Sequence, residues 1–269
     1  MGTPTYSFQE KEKMLSKNKV KYLHSLELKK HRDAEGVFVA EGPKVVMDIM
    51  ERFPLKLRLL VATPQWLKTN VYNNSVEAQH SEIIEVTEEE LSKASFLCHP
   101  QQVLAVFDKL SLDVDTSVLT DKLSLVLDGV QDPGNLGTII RIADWFGIEN
   151  IVCSRDTADV YNPKVVQATM GSIARVNVTY MDIEKLFASL PTEFPIYGTL
   201  LEGDNIYCQK LSSKGIIVMG NEGKGLSPAT RGIVNHALRI PNYPADRPTA
   251  DSLNVAIATA IVCAEFRRR

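Results

Sequence analysis

The sequence lacks most of the devices that announce a function on sight. No apolar run approaches the roughly 18–20 residues needed to span a bilayer. The opening MGTPTYSFQEKEK has no hydrophobic stretch of a secretion signal, so a cytoplasmic place of action is the default expectation. Cysteine is scarce: Cys98, Cys153, Cys208 and Cys263 are the full set, and none forms a C-x-x-C pair. A disulfide framework and a zinc knuckle are thereby excluded. The four are equally spaced, but their flanks FLCHP, IVCSR, IYCQK and IVCAE share nothing, which rules out a repeat and leaves buried, reduced thiols as the expectation. An excess of one charge is missing too. With 30 Lys+Arg against 33 Asp+Glu the formal charge is −3, so attraction to nucleic acid has to come from a local patch.

What is present is an ordinary globular composition, 44% apolar and 23% charged over 269 residues, enough for two domains with real cores. Residues 13–32 hold seven Lys/Arg against the single acid Glu27. Val20, Leu23, Leu26 and Leu28 give them a partial helical stripe, so the cations line either a solvated helix face or an RNA-facing patch. GVFVAEG (36–42) reads as a strand, and Pro43 opens a helix. LKLRLLVA, SEIIEV and the run from Gln102 to Phe107 read as further strands, with Thr87 as an N-cap. Six acids and no Lys or Arg lie between Glu77 and Glu90, a face that repels phosphate. The alternation predicts a smaller α/β docking domain over 1–108, a polar linker over 109–122, and a second α/β domain over 123–269.

The second domain is organised around LSLVLDGVQDPGNLGTIIRIADWFGIENIV, from Leu123: strand, glycine loop, helix, strand. Gly134 and Gly137 would let backbone approach a ligand, and Arg141 would sit about one turn into the helix. The spacing is G-x-x-G, neither the dinucleotide fingerprint nor a Walker loop, so a dinucleotide-dependent oxidoreductase is excluded. Two later loops, GNEGKGLS around Glu222 and IPNYPADRPTADSLN ending at Asn254, also follow predicted strands. Ligands of open α/β sheets bind beyond the strands' carboxyl ends, which predicts one pocket holding Asn135, Arg141, Asn221, Glu222, Ser252 and Asn254. It has no His, no Cys and no paired carboxylates, so metal hydrolysis, glycoside cleavage and a Ser-His-Asp triad are excluded. The final helix, from about Ser252, is apolar almost all round, which predicts burial on more than one side, against a deep core or a second subunit.

The three loops resemble the three motifs of the SpoU family of RNA 2′-O-methyltransferases, of the SPOUT superfamily: DPGNLGTIIRIAD, IVMGNEGKGLS and SLNVAIATA, in the family's order. KYLHSLELKKHRDAEGVFVAEGPKVV resembles that family's substrate-binding domain. The resemblance implies methyl transfer from S-adenosylmethionine to a ribose 2′-hydroxyl of structured RNA, with rRNA favoured over tRNA, no metal and no membrane. It also implies a C-terminal trefoil knot in an open, mostly parallel sheet, and a homodimer. Carried over by position, Arg141, Asn135, Glu222, Ser252 and Asn254 are the expected catalytic set. Thr199, Leu200, Gly220, Asn221, Gly225, Ile240 and Leu253 are expected to surround the cofactor.

One departure is the ten-residue NYPADRPTAD (242–251), where the family pattern has a shorter methionine and glycine loop; Asn242 stands where methionine is typical, and Asp246 and Arg247 face either RNA or solvent. A guanidinium is a poor base at neutral pH, so the expected role of Arg141 is positional: it clamps a target phosphate and polarises the 2′-hydroxyl, while Glu222 and Asn135 fix its rotamer. The alternatives are a tRNA 2′-O-methyltransferase or a non-catalytic RNA-binding protein that retains the fold.

Overall fold

A computed structural model describes residues 15–70, 81–110, 116–244, 247–248 and 250–268. The chain divides into two compact units, one of Met1–Leu110 with Tyr161–Pro163, the other of Ser111–Val160 with Lys164–Arg269.

The first unit begins with two short helices, α1 (Lys17–Ser25) and α2 (Lys29–Glu35), where the sequence predicted one. Gly36, in the left-handed region at φ 66°, ends α2. Among the described residues four strands follow: β1 (Val37–Glu41), β2 (Leu57–Ala62), β3 (Glu82–Glu85) and β4 (Val103–Asp108), in the order β1-β4-β2-β3. Only the β2–β3 pair is parallel. Helices α3 (Pro43–Arg52), α4 (Pro64–Asn70) and α5 (Glu88–Ala94) complete the unit, and Thr87 caps α5 in a reciprocal box with Glu90. The core joins Leu23 and Leu26 to Val37, Val39, Leu59, Val61, Ile84, Leu91, Leu104 and Val106.

The charged faces of this unit differ from the sequence reading. Arg32 is buried, donating to the carbonyls of Leu26 (2.8 Å) and Glu27 (2.6 Å), so it ties α2 to the preceding turn and is lost to any RNA patch. Lys19 pairs with Glu82 and Lys29 with Asp33. Local acids therefore engage part of the basic segment, and Lys13 lies outside the described residues. The acidic stretch is partly outside them too; within them Glu82 holds Lys19, Glu89 holds Lys93 and Glu90 serves the cap.

The second unit opens with α6 (Thr116–Asp121), inside the segment read as linker. Its sheet has six strands, all parallel: β5 (Leu123–Asp128), β6 (Asn150–Cys153), β7 (Asn177–Tyr180), β8 (Ile196–Asn205), β9 (Gly215–Gly220) and β10 (His236–Arg239), in the order β10-β8-β9-β5-β6-β7. Strands covered on both faces need continuous apolar runs, and β5 (LSLVLD), β6 (NIVC) and β9 (GIIVMG) are buried along nearly their whole length. The chain builds outward from β5 to β7 on one side, then places β8, β9 and β10 on the other. The boundary between β5 and β9 is therefore where strand order reverses, the usual place for a ligand crevice.

Among the described residues five α-helices accompany this sheet after α6: α7 (Pro133–Trp145), α8 (Pro163–Ala168), α9 (Ile183–Ala188), α10 (Pro228–Ile233) and α11 (Val255–Arg267). Helix α7 starts earlier than predicted. Asp132 accepts from the Asn135 amide as N-cap and Pro133 takes the first position, a pairing that starts a helix at once. Gly134, Asn135 and Gly137 are thus helical rather than a loop. The close approach at Gly137 is to α8, not to a ligand: an added Cβ would lie 2.5 Å from Ala168 Cβ and 2.7 Å from the Val165 carbonyl oxygen. Helix propensity alone would make Gly137→Ala stabilising by about 1 kcal/mol. Backbone overlap outweighs it, and a net loss of about 1–3 kcal/mol is expected, measurable as a lower denaturant midpoint.

Two cysteines meet the buried-thiol expectation and two do not. Cys153 and Cys263 are buried, whereas Cys98 and Cys208 are exposed. Burial raises both buried thiols, Cys263 to about 12, which keeps them protonated and inert.

Candidate active site

The carboxyl ends of β5 and β9 are tied together by their own loops. Asn221 Nδ2 donates to the Gly129 carbonyl (2.7 Å), and the Ser227 amide donates to Asp128 Oδ2 (2.8 Å). Asn221 also turns the β9 loop, its Oδ1 accepting the Gly223 and Lys224 amides at 2.9 and 3.0 Å. The loop closes on itself, the Asn221 and Gly225 backbones exchanging two hydrogen bonds of 2.9 Å. Two glycines make that closure possible. Gly225 sits at φ +69°, and a Cβ on Gly220 would fall 2.4 Å from the Gly225 carbonyl carbon. Asp128 and Gly129 were missed by sequence reasoning; a charged residue ending an otherwise apolar strand was the available signal.

Above this platform three side chains from three motifs form one directed chain. The amides of Ala256 and Ile257, in the first turn of α11, donate to Asn254 Oδ1 (3.0 and 3.3 Å). Asn254 Nδ2 donates to Asn135 Oδ1 (2.9 Å), and Asn135 Nδ2 donates to Glu222 Oε1 (2.9 Å). A carboxylate only accepts, so Glu222 sets the orientation of Asn135, which sets that of Asn254, leaving Asn254 Oδ1 to cap α11. Residues 87 and 119 positions apart are joined in this way. Asn254 is accordingly the N-cap of α11, which starts at Val255 rather than at about Ser252. Ser252 is exposed and makes no hydrogen bond among the described residues.

Arg141 stands outside this chain. With α7 starting at Pro133 it lies more than two turns into the helix, and about 9 Å along the axis from Asn135 on a different face. Its side chain is exposed and makes no hydrogen bond or ion pair among the described residues. The expectation that Glu222 and Asn135 fix its rotamer is not met within one chain, because those two groups hold each other and Asn254.

The residues expected around a cofactor border the same sheet end. Strand β8 pairs with β9 through Gly198 and re-pairs with β10 only at Asp204. Thr199 and Leu200 thus follow the last residue paired with β9, both half-buried, with Thr199 Oγ1 donating to the Val218 carbonyl (3.3 Å). Ile240 is half-buried just after β10, while Leu253 is 51% exposed. The inventory is backbone amides, side-chain amides and aliphatic surface. No cluster of His, Cys, Asp or Glu that could hold a metal occurs among the described residues. No described helix is long and apolar enough to cross a membrane. Such a lining fits a small polar molecule with a flat apolar part.

Known proteins sort the same way. Residues 122–264 match the model of the SpoU rRNA Methylase family, and residues 17–105 match an MRM3-like substrate binding domain. A 23S rRNA (guanosine(2553)-2′-O)-methyltransferase, RlmP, of Bacillus subtilis is 32% identical over 93% of this chain and 96% of its own. Among solved structures, a TrmH-family protein from Porphyromonas gingivalis superposes with a TM-score of 0.81 at 40% identity, covering 95% of this chain and 99% of that one. An AdoMet-bound rRNA methyltransferase from Sinorhizobium meliloti gives 0.81 at 31% identity, with 96% and 97% covered.

Proposed function

The chain belongs to the SpoU rRNA Methylase family, and from that membership we propose that it transfers a methyl group from S-adenosylmethionine to a ribose 2′-hydroxyl of large-subunit ribosomal RNA. The observation that carries this reading is the hydrogen-bonded chain Asn254–Asn135–Glu222, which joins all three family motifs at the carboxyl ends of β5 and β9. The AdoMet-bound relative at 31% identity supports the cofactor. The ribosomal target rests on the Bacillus relative that covers nearly the whole chain, which places tRNA second. A cytoplasmic place of action accords with that target.

In this reading residues 1–108 bind RNA, 109–122 connect, and 123–269 carry the transfer. Thr199, Leu200, Gly220, Asn221, Gly225, Ile240 and Leu253 hold the cofactor, which when bound supplies a methyl group on a sulfonium centre. The backbone of the closed β9 loop would supply its polar contacts, and the aliphatic side chains of Leu200, Ile240 and Leu253 would supply apolar ones. Asn135, Glu222 and Asn254 keep the loops in register, Ser252 meets the substrate from the third loop, and Arg141 grips a phosphate beside the target ribose. Most of the acceleration is positional, since the leaving thioether needs no acid.

A trefoil knot is part of the proposal. What supports it is connectivity: the chain leaves the edge strand β10 and then packs α11 against α7 and the interior strand β9. A homodimer is supported by apolar surface on those two helices, with Trp145 of α7 at 85% exposure and Ile257 of α11 at 54%. Mapping 2′-O-methyl marks in rRNA and tRNA from cells with and without this gene tests the function. One large-subunit rRNA mark is expected to vanish; a lost tRNA mark would transfer the assignment to tRNA.

A further inference from the structure

The carboxyl edge of the six-stranded sheet is uneven in which charges it keeps engaged. Among the described acids of the loops that leave it, Asp132 caps α7, Asp156 accepts from Ser154 Oγ and Glu222 accepts from Asn135. Asp159 is also engaged, and Asp251 makes no bond among the described residues. The cations of the same loops behave oppositely. Arg155 after β6, Lys224 after β9 and Arg247 after β10 are exposed, and their side chains make no hydrogen bond or ion pair among the described residues.

Elsewhere in this unit some exposed cations pair with acids, Lys122 with Glu149, Arg175 with Asp144, Lys214 with Asp121 and Arg231 with Glu202, while Arg141, Lys185, Lys210 and Arg239 stand without a side-chain partner among the described residues. What sets Arg155, Lys224 and Arg247 apart is their place: all three stand in loops that leave the carboxyl edge of one sheet. At about 4.8 Å per strand, the four steps from β10 to β6 set the strands that these loops leave roughly 19 Å apart, with β9, which carries the loop of Lys224 and Glu222, at the middle. The β10 loop adds Tyr243, 93% exposed, and in it the Arg247 amide donates to the Pro244 carbonyl (3.2 Å). A row of unpaired cations beside an exposed aromatic ring fits a linear polyanion with stacking bases, which is single-stranded RNA.

We propose that Arg155, Lys224 and Arg247 form a phosphate-binding track that lays an RNA strand across the Asn135–Glu222–Asn254 site, and that Tyr243 stacks on one of its bases. The track rests on the RNA reading above and extends it to Arg155, Lys224, Tyr243 and Arg247, which that reading gives no part in holding the cofactor or the target ribose.

The test uses the full chain and a fluorescein-labelled, mixed-sequence single-stranded RNA 20-mer, followed by anisotropy from about 50 to 200 mM salt. Each neutralised phosphate contact on a single strand contributes about 0.7 to the slope of log affinity against log salt. The triple variant Arg155→Gln, Lys224→Gln, Arg247→Gln is expected to lower that slope by about 2 and to bind the RNA at least about tenfold more weakly at low salt. Tyr243→Ala is expected to weaken binding at unchanged slope. Equilibrium dialysis against labelled S-adenosylmethionine, unchanged in the triple variant, shows that the site is still folded.

A triple variant with wild-type slope and affinity overturns the track, and an unaltered Tyr243→Ala affinity removes the stacking. If the wild-type protein binds the RNA through these residues yet transfers no methyl group, the catalytic reading fails and the track stands. If it transfers methyl groups while the triple variant keeps the wild-type slope, the reverse holds.

Discussion

Arg141→Lys is expected to lower the rate of methyl transfer by about 10²–10³-fold, a loss in keeping with a misplaced substrate or a missing charge-stabilising donor. The same change should leave stability within about 0.5 kcal/mol, because the side chain is exposed and bonds to nothing among the described residues. Lysine keeps the charge but not the planar fork that holds a phosphate by two hydrogen bonds, so the loss should appear with cofactor affinity intact. Measuring single-turnover transfer, cofactor dialysis and the denaturant midpoint on one preparation separates these effects. A variant that keeps most of its activity would reduce Arg141 to a surface cation of α7.

Gly220→Ala should abolish most cofactor binding. The new Cβ would run into one backbone peptide group, 2.4 Å from Gly225 C, 2.6 Å from Gly225 O and 2.6 Å from Leu226 N, which cannot swing aside as a side chain would. Relieving the overlap breaks the paired Asn221–Gly225 hydrogen bonds and opens the loop. Overpacking costs of about 1–3 kcal/mol correspond to about a 5- to 150-fold loss of affinity if they fall on the bound state. The matching control is Gly223→Ala, where the nearest atom to an added Cβ is Asn221 Oδ1 at 3.8 Å; cofactor affinity there should stay within about twofold. Equal losses in both variants would mean that the β9 loop is fragile as a whole rather than closed at one point.

Much of the scaffold was legible because its signals are local. Continuous apolar runs marked β5 and β9, Pro43 and Thr87 marked helix starts, and turn residues marked the loops between them. The glycine loop before Arg141 was misread for an equally local reason. Two helix-poor glycines at 134 and 137 outweighed Asp132 and Pro133, yet capping and a pre-set φ decide a first turn, and Gly137 is there for the close approach of α8. That shift also moved Arg141 from the mouth of a loop to a different helical face.

Arg32 was counted as surface charge because its neighbours are basic. What buries it is a pair of carbonyls from the turn between α1 and α2, a tertiary arrangement with no periodic trace. The Asn254–Asn135–Glu222 chain lay between these extremes. Its residue types were readable one by one, but the order of donors and acceptors depends on where β5, β9 and α11 end, which only the fold supplies.

The central claim is that these three motifs serve transfer to a ribose oxygen. Purified full chain incubated with methyl-labelled S-adenosylmethionine and 23S rRNA from cells lacking the gene, followed by digestion to nucleosides, tests it most directly. Label is predicted in a single 2′-O-methylnucleoside, and in none when Arg141→Lys replaces the wild type over the same short incubation. Label on a base, or no label from a protein that demonstrably retains the cofactor, would contradict it.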